Sequence, residues 1–207
     1  MIAWPHARRA PSAIAVERGD PSVLEAVARP EVHLAIWNRR LPIALAWLPQ
    51  LDWRKIDDLD FATTLAMLEA DVAEGLAEAG YPAGARADAL AGEIVGHARR
   101  FGAIQKIDAL AIRLEVIETD ACRKFHADHV IARLLTTLVG SGTQWVHVEA
   151  GPDTPIRQMR TADVAIFKGR LATDALAILH RSPPIGDTGE TRLLLAIDPA
   201  PAPGLPA

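Results

Sequence analysis

Phe125-His126-Ala127-Asp128-His129 is the stretch of sequence on which the fold prediction depends. His126 and Asp128 are two residues apart, and side chains at that spacing point to the same side of a β-strand. His180, which follows a later apolar segment, can supply a second imidazole beside them. Two histidines and one carboxylate are a common ligand set for iron and zinc. The stretch therefore predicts a metal site formed by His126, Asp128 and His180.

A pair such as His126-x-Asp128 also arises by chance, and His147-x-Glu149 in the same chain is comparable. The position of the first pair favours it, because an apolar segment at 130–139 follows directly and the end of a rigid strand holds ligands well. A single histidine at the end of an apolar strand more often makes a structural hydrogen bond. The metal prediction therefore depends on all three residues together.

Composition and charge narrow the class of protein. The 207 residues carry a net charge of −4 and are 50% hydrophobic, which is typical of a globular protein and gives no reason to expect nucleic acid as a partner. The apolar runs are too short to span a bilayer, and residues 1–9 lack the apolar run of a signal peptide. The one cysteine, Cys122, cannot form an intramolecular disulfide. We therefore expect a cytoplasmic protein with no membrane partner.

The front of the chain, residues 1–105, is predicted to be mainly helical. Apolar residues recur at spacings of three and four through 58–78, and a second, alanine-rich segment ends before Gly102. Asp20-Pro21 is typical of a helix start, and residues 1–20 are expected to form an irregular arm. The predicted elements are helices from Pro21 to before Pro30 and at 42–48, 58–78 and 83–101, and a strand at 32–37.

The back of the chain, residues 106–198, is predicted to be all-β. Strand-like segments alternate there with short turns rich in glycine and proline, a pattern that favours a sandwich or barrel. The predicted strands are 110–118, 130–139, 144–149, 156–159, 164–167, 175–180 and 192–198. We expect one α+β domain over 1–198, with its helices packed outside the β-structure, and a disordered tail at 199–207.

The order of these motifs resembles the Fe(II)/2-oxoglutarate-dependent dioxygenases, which carry His-x-Asp, a distal histidine and then an arginine or lysine. His126-x-Asp128, His180 and Arg192 follow that order, and the resemblance covers about residues 108–198. Other segments are similar to a bacterial family known as domain of unknown function 1826. The segments that carry this second resemblance are 122–126, 133–137, 167–170 and 180–184.

The dioxygenase resemblance implies a double-stranded β-helix, the jelly-roll or cupin-like fold, with the front-half helices packed on it. It also implies that His126, Asp128 and His180 hold Fe(II) and that Arg192 binds the distal carboxylate of 2-oxoglutarate. Thr136, which shares strand parity with Asp128, is a candidate for a second contact to this co-substrate. We also expect an apolar lining of the site formed by Phe167, Leu134 and Trp145.

Three functions remain open from the sequence. The first is an Fe(II)/2-oxoglutarate-dependent oxidoreductase that hydroxylates an unidentified small molecule or protein. The second is a zinc- or iron-handling protein without oxygenase activity, since the same ligands suit both metals. The third is an interaction module that has lost its metal. The orientation of Arg192 discriminates between them, because it can either point into the barrel or pair with Glu190 or Asp198 at the surface.

Overall fold

The computed structural model of the protein describes residues 14–120, 122–148, 155–173 and 177–200. Within these residues the chain forms ten strands, two α-helices and several short 3₁₀ helices. The strands are β1 (Ile14–Arg18), β2 (Val32–Trp37), β3 (Leu59–Thr64), β4 (Ala109–Ile117), β5 (Ala132–Val139), β6 (Gln144–His147), β7 (Arg157–Gln158), β8 (Val164–Lys168), β9 (Ile178–Arg181) and β10 (Arg192–Pro199). The α-helices are α1 (Leu68–Glu78) and α2 (Ala85–Gln105), and the 3₁₀ helices include Pro21–Ala28, Ile43–Leu45, Leu48–Gln50 and Trp53–Lys55.

The strands form two sheets. The larger has seven strands in the order β1-β2-β8-β5-β10-β4-β3, and the smaller has the order β7-β6-β9. β1 and β2 pair in parallel, and the other neighbours in the larger sheet are antiparallel. A buried cluster that includes Leu135 of β5, Trp145 of β6 and Ile178 of β9 joins the two sheets. The two facing sheets form a jelly roll around this inter-sheet core.

Each central strand of the larger sheet buries both of its faces. On β5, Leu134 and Leu138 belong to a second core, whereas Leu135 belongs to the inter-sheet core. The second core also contains Leu90 and Phe101 of α2, so the helices cover the outer face of the larger sheet. Each fully buried side chain of this size contributes about 1.5–3 kcal/mol. The predicted α+β jelly roll with front-half helices packed on it is therefore present.

The prediction of one helix over 58–78 is wrong for its first third. Residues Leu59–Thr64 form β3, which pairs antiparallel with β4, and α1 begins only at Leu68. Phe61 lies opposite Ile112 in this pairing. The helical spacing of the apolar residues holds through α1, but at β3 the available edge of β4 outweighs it, since strand propensity depends strongly on context.

Other boundaries differ by a few residues. Part of the predicted arm at 1–20 forms β1, beside β2, while residues 1–13 lie outside the described ranges. The helix expected to stop before Gly102 continues to Gln105, where Lys106 ends it in the left-handed conformation, with φ of 57°. The tail predicted at 199–207 lies outside the described residues from 201 on. Across the described ranges, no helix has the length and apolarity needed to cross a membrane.

Candidate metal centre

The predicted ligands His126, Asp128 and His180 come together on the inner side of the jelly roll. His180 lies on β9, and His126 forms an isolated antiparallel bridge with it through two backbone hydrogen bonds of 2.9 Å. Asp128 lies between this bridge and β5, which begins at Ala132 and not at 130. The pair therefore does not share one regular strand as predicted. Instead, His126 is held by its bridge to β9 and Asp128 lies in the loop before β5, and together these place the two side chains close to each other.

The three side chains are close enough to bind one ion. One ligand atom from each residue lies within 4.8 Å of the other two. Nε2 of His180 is 3.1 Å from Oδ2 of Asp128, and Nε2 of His126 is 3.7 Å from Oδ1 of Asp128. Ligand atoms at right angles around one ion at about 2.1 Å lie about 3 Å apart. The donor set thus fits a transition metal after small side-chain movements.

Asp128 supplies a second observation that supports a metal. Its Oδ2 atom is buried and makes no hydrogen bond of regular geometry among the described residues, where its polar contact is Nε2 of His180 at 3.1 Å. Burying a carboxylate oxygen that is so weakly paired is costly. Its Oδ1 atom accepts a hydrogen bond from Nη1 of Arg133. The carboxylate therefore has one oxygen engaged by the protein and one available to a cation.

The protonation states also suit a metal site. Burial lowers the pKa of His180 below its ordinary value, against the opposing effect of Asp128. Burial works against the charged form of Asp128, but His180 and the guanidinium of Arg133 outweigh it, so the pKa of Asp128 is lowered as well. A neutral imidazole beside an ionised carboxylate is the state in which these groups bind metals.

A cavity of about 120 Å³ opens beside the ligands. Its lining joins His126 and His180 to charged, polar and apolar side chains of both sheets and of neighbouring loops. The other lining residues are Arg113, Glu115, Ile117, Cys122, Arg133, Leu135, Thr143, Arg181, Ser182, Leu194 and Ala196. Phe167 packs against His180 with ring centroids 4.6 Å apart. Trp145 of β6 lies directly opposite His180 of β9 in the smaller sheet. Two of the three predicted apolar residues, Phe167 and Trp145, therefore lie beside the site.

Arg192 points into the jelly roll and not to the surface. It is 0% exposed and shares its face of β10 with Leu194. Its guanidinium donates to the carbonyl oxygen of Ser141 at 2.6 Å, to Oγ of Ser182 at 2.9 Å and to Oγ1 of Thr137 at 3.4 Å. Ser182 also lines the cavity, so Arg192 lies directly behind the cavity wall.

The charge of Arg192 has no close carboxylate partner in the described part of the chain, where its hydrogen bonds go to neutral oxygens. Burial accordingly lowers the pKa of Arg192, although Glu190 and Glu115 act in the opposite direction from further away. A buried guanidinium without a paired anion is unfavourable, and an anionic ligand would relieve that cost.

The structure does not bring Thr136 to the metal centre. Thr136 lies on the same face of β5 as Leu134 and Leu138, which pack in the core beneath the helices. Its buried Oγ1 has no hydrogen-bond partner among the described residues. The inner face of this strand carries Arg133, Leu135 and Thr137 instead. Leu134 is likewise directed away from the predicted lining.

Arg133 and Asp198 are residues of the site that sequence reasoning did not select. Arg133 interrupts the apolar run of β5, and Asp198 lies near the end of β10. A charged residue within an apolar strand that is buried on both faces needs a buried partner of opposite charge. A charge inside such an apolar run is therefore the signal that could have identified Arg133 and Asp198.

A family model described as "Protein of unknown function (DUF1826)" matches residues 18–198. No curated protein matches the sequence.

Solved structures with the same fold include dioxygenase for auxin oxidation 1 from Arabidopsis thaliana, in a complex with 2-oxoglutarate. It is 12% identical with a TM-score of 0.51, over 92% of this chain and 93% of that one. The dioxygenase for auxin oxidation from rice is 14% identical with a TM-score of 0.55, over 93% and 86%. A prolyl-4-hydroxylase from Pseudomonas putida is 12% identical with a TM-score of 0.50, over 86% and 96%. At these identities the likeness shows the fold, and it confirms the predicted jelly roll.

Proposed function

Because the chain belongs to the DUF1826 family, whose description assigns no activity, we propose a function from the site itself. The protein is proposed to be an Fe(II)/2-oxoglutarate-dependent oxidoreductase that hydroxylates a substrate still to be identified. The observation that carries the proposal is the buried, carboxylate-free guanidinium of Arg192, which points into the jelly roll behind the wall of the cavity beside the candidate ligands. A site that holds only a metal does not need this arginine.

In this proposal His126, Asp128 and His180 would hold the ion and would leave coordination positions open to other ligands. Iron bound there would supply the O₂ chemistry in which 2-oxoglutarate is decarboxylated to succinate while a substrate C–H bond becomes C–OH. Arg192 would donate two parallel hydrogen bonds to the distal carboxylate of 2-oxoglutarate. Phe167 and Trp145, which lie beside His180, would shield its imidazole from water.

Zinc or iron binding without oxygenase activity is the second candidate, and one observation favours it. Arg192 is 0% exposed and already donates to Ser141, Ser182 and Thr137. A co-substrate must therefore displace at least the contact with Ser182, and the cavity of about 120 Å³ must widen to admit it. A protein that never opens in this way would hold the metal alone.

Calorimetric titration of the Co(II)-loaded protein with 2-oxoglutarate distinguishes the two candidates. We expect wild type to bind 2-oxoglutarate and Arg192→Met to bind it about 100-fold more weakly, since two hydrogen bonds to a charged group are worth about 3 kcal/mol or more. The matched control is Arg181→Met, which removes another cavity arginine that already donates to Gln144 and stacks on Phe125. A wild-type protein that binds metal but no 2-oxoglutarate would favour the second candidate.

A further inference from the structure

We propose that Arg133 is a positioning residue of the metal centre, which holds the Asp128 carboxylate in one rotamer so that only Oδ2 is presented to the ion. The inference rests on the proposed metal site, but it does not depend on 2-oxoglutarate or on catalysis. It assigns a task to a charged side chain that lies on the cavity wall and is not itself a candidate ligand.

Arg133 connects two carboxylates that come from different parts of the chain. From β5 it donates through Nη1 to Oδ1 of Asp128. It also donates to both oxygens of Asp198 on β10, from Nε at 2.7 Å and from Nη2 at 2.6 Å. Such a bidentate pair fixes the plane of the guanidinium, and the plane in turn fixes the direction of the bond to Asp128.

The charges around Arg133 separate its task from that of Arg192. The side chain of Asp198 is 10% exposed, and it neutralises the charge of Arg133 at hydrogen-bond distance. Asp198 also contacts Arg113 at 3.3 Å. Burial opposes the charged form of Arg133, yet the bonds to Asp198 and the charge of Asp128 outweigh it, and the pKa of Arg133 is raised. Arg133 is thus already paired with two carboxylates and is not available to bind an anionic ligand, whereas Arg192 has no close carboxylate partner among the described residues.

Asp128 requires such a support because no regular strand holds it. Its carbonyl oxygen accepts a hydrogen bond of 2.8 Å from the backbone of Arg170, which fixes the main chain but not the carboxylate. Without Arg133 the carboxylate can rotate, and either oxygen can turn from the site. Partners of metal ligands that set their orientation typically contribute 10–100-fold to metal affinity.

The test is a titration of the metal-free protein with Co(II), followed by both calorimetry and the visible absorption of bound Co(II). We expect Arg133→Met to weaken Co(II) binding by about 10–100-fold and to change the absorption spectrum, because the ligand oxygen is no longer fixed. Arg133→Lys keeps a positive charge that can pair with one carboxylate but cannot bond to both Asp128 and Asp198. We therefore expect its Co(II) affinity to lie between those of wild type and Arg133→Met. Thermal unfolding of the metal-free variants identifies any loss of folding, and Arg133→Lys serves if Arg133→Met does not fold.

Arg39→Met is the matched control, since it removes another largely buried arginine from a carboxylate, that of Glu93, and should leave Co(II) affinity close to wild type. Equal affinity and identical spectra for wild type, Arg133→Met and Arg133→Lys would overturn the inference and leave the metal site standing. An equal loss in Arg39→Met would also overturn it, because the effect would then follow from the loss of any buried ion pair. A wild-type protein that binds no Co(II) would overturn both proposals.

Discussion

Gly169 lies against the loop that carries Asp128, and the substitution Gly169→Ala should disturb the metal centre without touching a ligand. A Cβ atom at Gly169 would lie 2.1 Å from the carbonyl oxygen of Val130 and 2.8 Å from that of Asp128. Non-bonded heavy atoms require about 3.5 Å, so the loop must move by roughly 1.4 Å. The backbone hydrogen bonds from Gly169 to Ile131 and from Arg170 to Asp128 resist this movement.

Two effects of known size follow. Overpacking costs about 1–3 kcal/mol, which lowers Tm by roughly 2–12 °C for a chain of this length. A ligand displaced by about 1 Å loses its productive geometry, and we expect Co(II) affinity to fall by about 10–100-fold. Differential scanning calorimetry and Co(II) titration measure the two effects.

Gly96→Ala in α2 is the matched control, because a Cβ atom there has no neighbour within 4 Å. Alanine favours a helix over glycine by about 1 kcal/mol, so this variant should melt a few degrees higher and bind Co(II) as wild type does. If Gly169→Ala melts at or above wild type and keeps its Co(II) affinity, the contact between this glycine and the Asp128 loop does not constrain the site.

Two further substitutions test other parts of the account. Thr136→Val should raise the free energy of unfolding by up to about 1 kcal/mol, because it removes a buried hydroxyl that has no hydrogen-bond partner among the described residues. Titrations with Co(II) and 2-oxoglutarate should give wild-type affinities. Weaker binding of either one would show that Thr136 does contribute to the site. Glu93→Gln tests pH dependence: burial opposes the charged form of Glu93, but His97 and Arg39 outweigh it and lower its pKa. A carboxyl group with a lowered pKa in the folded state stabilises the fold at any pH above its ordinary pKa, and this stabilisation is lost as the pH falls through the lowered pKa. The free energy of unfolding of wild type should therefore exceed that of Glu93→Gln by about 1–3 kcal/mol at pH 7, and the difference should disappear in acid. Urea unfolding measures this difference, and a constant value between pH 7 and pH 3 would contradict the assignment.

The candidate ligands could be selected from the sequence because the signal is chemical and local. His126 and Asp128 stand together just before an apolar run, and His180 and Arg192 follow in the order that the dioxygenase resemblance implies. The jelly roll brings the first three within 4.8 Å and places Arg192 behind the cavity wall. Residue types and their order were therefore sufficient to predict that the first three side chains lie together. The binding of a co-substrate by Arg192 stays a prediction.

Thr136 shows what strand counting cannot supply. The prediction placed the side chain of Thr136 on the same side of the strand as that of Asp128, which assumes that one regular strand contains both residues. β5 begins at Ala132, and the irregular segment before it breaks the alternation, so Thr136 faces the helices and Thr137 faces Arg192. Where a strand begins depends on its partners across the sheet, which the local sequence does not contain.

The segment 58–64 was missed for a related reason. Its apolar residues fit the helical spacing of the following segment, and only its own β-branched Thr63 and Thr64 favoured a strand. Pairing with β4, some fifty positions later in the chain, decided the outcome. Arg133 and Asp198 likewise become partners only when β5 and β10 align.

The most direct test of the central claim is the visible spectrum of the protein reconstituted with Fe(II) without oxygen and titrated with 2-oxoglutarate. The account predicts a metal-to-ligand charge-transfer band that saturates with 2-oxoglutarate in wild type. In His180→Ala, which lacks one of the three ligands, the band should be absent and the metal content lower. Tightly retained zinc with no band in wild type, or unchanged metal content in His180→Ala, would contradict the account.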